Sequence, residues 1–212
     1  AFAQYQFQEA LKIEAGNVEA MLGKGRSLVC QGAVALAIEE YQNVLSADAN
    51  NVAAHVRLAE AYQRQFQSDE ARYADQLGES LTLLTAAESL EPNNPEVLNA
   101  KGVSLYLNED LAGSRAALER AVSLASGSET LSGRDVAQMH INLGSVYRDL
   151  GELELSLASY RRAVTLNPLS AVAHMNVGAT YKKLDNCDEA IYELTQAVSL
   201  NPQLLNALSN LA

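Results

Sequence analysis

Along Ala171 to Leu204 (AVAHMNVGATYKKLDNCDEAIYELTQAVSLNPQL) the apolar positions fall into two stripes at helical spacing. Val177, Tyr181 and Leu184 form one, and Ala190, Ile191, Leu194 and Ala197 the other. The polar run Asp185-Asn186-Cys187-Asp188 parts them, so the segment predicts two helices joined by a tight turn. Pro202 follows the second stripe and stops that helix, because proline has no amide to donate. A gap-free shift of 34 residues lays Ala137 to Ser170 onto the same pattern, pairing His140/His174, Asn142/Asn176, Gly144/Gly178, Tyr147/Tyr181, Ala163/Ala197 and Pro168/Pro202.

The pattern extends over the rest of the chain. Residues 18–51 form another unit of 34, with Gly25, Leu28, Ala37, Tyr41 and Val44 in the equivalent places. Residues 52–94 and 95–136 keep the register at both ends but carry inserts of nine and eight. Residues 1–17 read as the second half of a unit, through Ala3, Phe7 and Ala10, and 205–212 as the start of another. One helical hairpin cannot cover its own apolar faces, so neighbouring hairpins must stack. The prediction is a single all-α solenoid of about twelve helices, counting the partial units.

The repeat resembles the tetratricopeptide repeat (TPR) family over essentially the whole chain. The match rests on a small residue at the eighth place, an aromatic or leucine at the eleventh, and alanine or serine at the twentieth. A large apolar residue follows at the twenty-fourth, a small one at the twenty-seventh, and often proline at the thirty-second. The fourth place, usually tryptophan in the family, departs from the pattern: Met21, His55, Leu98, His140 and His174 fill it. The resemblance implies a right-handed superhelix of antiparallel helix pairs. It implies a non-catalytic scaffold whose concave groove, lined by the first helix of each pair, binds a peptide or protein segment.

Composition supports helix and narrows the partners. The chain has 34 alanines, 32 leucines, four prolines and no tryptophan, a mix dominated by residues that lose little side-chain freedom in a helix. A formal net charge of -11 argues against a nucleic-acid or anionic-membrane binder, whose phosphates the field would repel. No apolar run reaches the roughly 18–20 residues of a membrane span. Two cysteines, Cys30 and Cys187, lie four stacking steps apart, beyond the roughly 7 Å Cα limit for a bridge. Free thiols of this kind fit a reducing, cytoplasmic compartment.

Candidates for chemistry give way to structural readings. His55, His140 and His174 share one phase, which places them at equivalent spots on first helices, about 10 Å apart for adjacent repeats, whereas a zinc ion needs donors converging at about 2 Å. They read as partly buried substitutes for the aromatic. Gly23-Lys24-Gly25 sits inside a predicted helix and lacks the spacing and Ser/Thr of a phosphate loop. Glu39-Glu40 and Arg161-Arg162 read as solvated surface. No acid, base and nucleophile converge, so neither an enzyme nor a cofactor is expected.

The informative positions are those that the resemblance turns into the groove: places two, five, six, nine, twelve and thirteen of each unit. They include Arg26, Arg57, Arg64, Arg148, Lys182 and Lys183 against Glu19, Glu60, Glu96 and Asp149, so the set carries +2 while the remainder carries -13. That is a local sign reversal, which a concavity would focus. Asn142, Asn176 and Asn210 recur at the sixth place, although asparagine is a mediocre helix former. An amide offers the donor and the acceptor needed to hold a peptide group. An extended peptide, rising about 3.3 Å per residue, would meet such a ladder at every third residue. The alternative is that these asparagines cap or bridge neighbouring helices. The fifth places (Leu22, Val56, Asn99, Ile141, Met175) contain no basic residue, so the carboxylate clamp of chaperone-binding family members is not expected. Their apolar members suggest a ligand that brings apolar side chains.

The expected groove residues are therefore Arg57, Arg64, Asn99, Asn142, Arg148, Asn176, Lys182, Lys183 and Asn210. Gln63 to Gly78 is polar and helix-compatible and should extend helix within the second unit. Ser126 to Gly133 (SGSETLSG) reads as a flexible loop. A chain of partial end units leaves apolar surface uncovered, which implies a piece of a longer protein or self-association through uncapped ends. The second functional reading is a targeting or regulatory arm for a catalytic domain outside these residues.

Overall fold

The structure is a computed structural model that describes residues 17–128 and 130–211. The partial unit read from Ala3, Phe7 and Ala10 lies outside the described residues. Among those described, eleven α-helices and no strand occur: α1 (Val18–Cys30), α2 (Val34–Ala47), α3 (Val52–Ser68), α4 (Ala74–Leu90), α5 (Pro95–Leu107), α6 (Leu111–Ala125), α7 (Gly133–Asp149), α8 (Leu153–Leu166), α9 (Ala171–Lys183), α10 (Cys187–Leu200) and α11 (Leu205–Leu211). They form two compact units that divide between Glu109 and Asp110, inside the third repeat.

In the first unit, Leu28 of α1, Ala37, Ile38 and Tyr41 of α2, and Leu58, Ala61 and Tyr62 of α3 share one core. A second core joins Val56 and Ala59 of α3, Leu84 and Ala87 of α4, and Val97 and Ala100 of α5. Each second helix thus packs on its own partner and on the first helix of the next hairpin, as the stacking argument requires. In the second unit, Ala137 and Ile141 of α7, Tyr160 and Ala163 of α8, and Ala173 and Val177 of α9 repeat the arrangement. Leu194 and Ala197 of α10 close on Ala207 of α11.

The eighth and twenty-fourth places explain the close approach of paired helices. A Cβ at Gly25 would collide with the Tyr41 ring, one at Gly144 would stand 2.6 Å from Cε1 of Tyr160, and one at Gly178 would stand 2.7 Å from Cγ of Leu194. Such distances are far inside van der Waals contact, so glycine is what lets the larger residue lie across the neighbouring backbone. Serine at the twentieth place adds a tie: Ser156 Oγ donates to the Gly144 carbonyl at 2.8 Å, and Ser80 Oγ to the equivalent Ala59 carbonyl at 3.3 Å.

Helix starts follow a polar rule that the repeat reading leaves unstated. Asn17, Asn51, Asn94 and Ser170, each immediately before a first helix, accept from an amide of its first turn, satisfying a donor that would otherwise be orphaned. The four described residues with left-handed φ that lie between paired helices all fall at the fifteenth place: Gly32 (79°), Glu109 (62°), Gly151 (80°) and Asp185 (59°).

The inserts resolve differently. The first lengthens α3 and α4 to 17 residues each, as expected, around a turn at 69–73. The second is not wholly a loop. Ser132 caps α7 with a reciprocal bond to Asp135, so Gly133 already belongs to helix and α7 begins four residues before Ala137. Other expectations also shift. Cys187 and Asp188 lie in the first turn of α10 rather than in the connecting turn. Ile191, placed in the apolar stripe, is 54% exposed because its neighbours Ala190 and Leu194 already face the core. Glu40 is no free surface acid but pairs with Lys24 at 2.5 Å.

Candidate functional site

In the first unit the inward places of α1 and α3 meet around a depression of about 220 Å³. Arg26, Val29 and Cys30 come from α1, Arg57, Glu60 and Arg64 from α3, with Tyr41 of α2 beneath them. Helical periodicity puts these residues on one side of each helix, and the Gly25–Tyr41 contact sets how closely the helices lie. Arg57 is half-buried, 2.9 Å from Glu60 and 3.7 Å from Glu96 of α5. Burial alone would lower its pKa, but Glu60 and then Glu96 outweigh that and raise it. Burial pushes the Tyr41 phenol up to about 12, against the opposing charge of Arg57, so it stays protonated. Arg26 and Arg64 are exposed and have no ion pair among the described residues. The depression therefore presents three guanidinium groups to one carboxylate, in a chain whose net charge is -11.

The asparagine series lies in the second unit, on α7, α9 and α11. Asn142 is half-buried and accepts from Gln138 Nε2 at 3.0 Å. Asn176 is 8% exposed, and its amide has no hydrogen bond among the described residues. Asn210 is half-buried, and its backbone carbonyl accepts from Lys182 Nζ at 3.0 Å. Arg148 is held by Asp149 at 2.9 Å and donates to the Tyr160 hydroxyl at 3.4 Å, while Lys183 is exposed. Asn99, in the first unit, is half-buried on α5.

Two inward places turn out to be core. Val56 and Ile141 are 3% and 7% exposed and pack between helices, so the fifth place does not offer a ligand a row of apolar contacts. Gln63, at the twelfth place, is buried too. Its Nε2 donates to the Ala100 carbonyl at 2.9 Å and to Ser104 Oγ at 2.7 Å, and Ser104 Oγ meets Ser80 Oγ at 2.7 Å. This network ties the second hairpin to α5. Its sequence signal is weak, since a lone glutamine at an inward place looks the same whether it faces a groove or a neighbour.

Two of the three histidines, His55 and His174, have local partners. His55 Nδ1 lies 2.9 Å from the Asn51 carbonyl, and His174 bridges Glu193 at 2.6 Å and the Pro168 carbonyl at 3.1 Å. His140 is half-buried, its Nδ1 lacks a partner, and burial, then Arg162, lowers its pKa. Among the described residues no group of three or more His, Cys, Asp or Glu side chains could hold a metal. Both cysteines are exposed thiols. No helix among those residues is long and apolar enough to cross a membrane.

Profiles described as tetratricopeptide repeat match residues 67–129 and 171–204, and one described as TPR repeat matches 144–185. No curated relative matches the chain in sequence. Among solved structures, TTC0263, a thermophilic TPR protein of Thermus thermophilus, is similar with a TM-score of 0.73 and 22% identity, over 84% of this chain and 89% of that one. YrrB, described as a TPR protein with an unusual peptide-binding site, is similar with a TM-score of 0.58 and 19% identity, over 96% of each chain. MamA gives a TM-score of 0.62 and 22% identity, over 84% of this chain and 95% of its own.

Proposed function

This chain belongs to the tetratricopeptide repeat family, and we propose that it is a non-catalytic scaffold holding a segment of a partner protein on the exposed faces of its first helices. The observation that carries this reading is the depression between α1 and α3, where Arg26, Arg57 and Arg64 converge beside one acid, Glu60. Arginine presents a planar fork that pairs with carboxylates in two-bond geometry, so the segment carries acidic side chains. In the second unit, Asn176 keeps an amide without an internal hydrogen bond among the described residues, suited to a peptide group of the bound segment. The peptide-binding description of YrrB agrees with this reading.

Selection of a displayed random-peptide library on the full chain tests it. Selected peptides should be enriched in aspartate and glutamate. Paired Arg57→Ala and Arg64→Ala should weaken them at least tenfold by titration calorimetry, and paired Asn142→Ala and Asn176→Ala severalfold, with helical content unchanged. Peptides that bind both double variants as tightly as the parent chain would sink the proposal.

A further inference from the structure

The first unit holds a second, larger depression that the arginine-lined face does not include. It has a volume of about 540 Å³ and is walled by Leu58 and Tyr62 of α3 and by Gly78, Glu79, Thr82 and Leu83 of α4. That size falls in the range of ligand sites, roughly 300–1,000 Å³. Leu58 and Tyr62 are nearly fully buried and Leu83 half-buried, so the interior is apolar. Polar groups mark its edge: the Tyr62 hydroxyl accepts from Gln42 Nε2 of α2 at 3.1 Å, and the Glu79 carboxylate stands beside that hydroxyl.

Two independent features say what fills it. The first is Gly78. Gly25, Gly144 and Gly178 each lie where a Cβ would strike the paired helix, but a Cβ at Gly78 would meet nothing within 4 Å. Glycine is the poorest helix former after proline, and no packing inside the protein asks for it at this position in α4. It does keep the wall of the depression open to close approach by another chain.

The second feature is charge. Helices α2 and α4 carry Glu39, Glu40, Asp75, Glu79 and Glu88 and no basic residue. Glu40 and Glu88 are neutralised by Lys24 and Lys101. Glu79 is exposed at the rim of the apolar depression and has no ion pair among the described residues, so its charge is open to a cationic partner. A cation at the end of an aliphatic stem satisfies both parts of such a site.

We propose that this depression is a second docking site, distinct from the arginine-lined face, that receives a lysine or arginine flanked by apolar residues on a partner protein. The apolar flanks cover Leu58 and Leu83, the cation pairs with Glu79, and the partner backbone passes over Gly78. The protein then presents sites of opposite charge preference and joins an acidic segment to a basic one.

Nuclear magnetic resonance titration of the full chain with acetyl-Leu-Lys-Leu-amide and acetyl-Leu-Glu-Leu-amide tests this. The lysine peptide should shift the signals of Leu58, Tyr62 and Leu83 and bind at least tenfold more tightly than the glutamate peptide. Glu79→Gln should reduce that preference below threefold. Gly78→Leu, which adds a good helix former where space is open, should weaken the lysine peptide at least tenfold while circular dichroism stays unchanged. Equal binding of the two peptides, or undiminished binding to Gly78→Leu, would overturn the proposal. Hexylammonium binding as tightly as the lysine peptide would assign a small amine, and concentration-dependent dimerisation abolished by Glu79→Gln a second copy of this chain. Either would overturn the partner assignment.

Discussion

Two alanine substitutions of helical glycines should have opposite effects, and the contrast isolates what the repeat geometry demands. At Gly144 an added Cβ would lie 2.6, 2.7 and 3.0 Å from Cε1, Cδ1 and Cζ of Tyr160. That ring is fully buried, its hydroxyl is 3.0 Å from Ser145 Oγ, and the Gly144 carbonyl is held by Ser156 at 2.8 Å. Neither side can withdraw without breaking a bond or opening the core. Overpacking of this kind costs about 1–3 kcal/mol, offset by about 1 kcal/mol from replacing a helical glycine with alanine. Gly144→Ala should therefore destabilise the chain by up to about 2 kcal/mol.

Gly78→Ala meets open space, so only the helix term remains, and it should stabilise by about 0.5–1 kcal/mol. At roughly 2–4 °C per kcal/mol for a chain of this size, the two thermal midpoints should separate by up to roughly 12 °C in far-ultraviolet circular dichroism, with Gly144→Ala the lower. Repeat proteins can unfold in parts, so urea titrations with matching slopes should accompany the midpoints. Tyr160→Leu on the Gly144→Ala background should recover much of the loss, because the second repeat already pairs Ala59 with Leu84 at these places. Equal shifts for the two glycine variants, or no recovery, would refute the packing account.

Two further predictions concern the turns and the acid response. Glu109→Gly should stabilise by about 0.5–1 kcal/mol, because its φ of 62° suits glycine, and Gly151→Ala at the equivalent place should cost a similar amount; a loss in Glu109→Gly by urea denaturation would contradict this. Burial holds the folded His140 pKa below its ordinary value of 6.5, so its contribution is full above that value and is lost as pH falls through the folded pKa. His140→Gln should remove that part of the acid response, and unchanged pH-stability curves would count against burial as its cause.

The fold was legible because its grammar is steric and periodic. Gly144 and Tyr160, or Gly178 and Leu194, are read correctly from their places alone, since each needs only its partner in the same hairpin. The caps Asn17, Asn51, Asn94 and Ser170 are as regular but lie outside that reading, because a polar residue between helices also reads as ordinary loop. The second insert misled because SGSETLSG is rich in loop formers. Ser132, inside it, pairs with Asp135 just beyond it and extends α7 backward. Ile191 misled in the other direction: its hydropathy matches the stripe, but its angle around α10 does not.

Positions outside that grammar behave differently, and the proposed binding chemistry rests on them. Whether an inward residue is spent on the fold depends on atoms that its own repeat does not contain. Gln63 is consumed by Ser104 and the Ala100 carbonyl of the next hairpin, and Lys182 reaches the Asn210 carbonyl on α11. Arg57 is shared between Glu60 and the more distant Glu96, while Arg26 and Arg64 are exposed. Arg57 is thus held in place by its acids, whereas Arg26 and Arg64 have no ion pair among the described residues. On the proposed reading, an arginine anchored beside two exposed ones would orient an acidic segment before binding and lower the entropy cost of seating it. The same logic separates Gly78 from Gly25, Gly144 and Gly178: those three are demanded by a neighbour within the hairpin, whereas Gly78, where an added Cβ would meet nothing within 4 Å, borders an open apolar depression beside the Glu79 carboxylate.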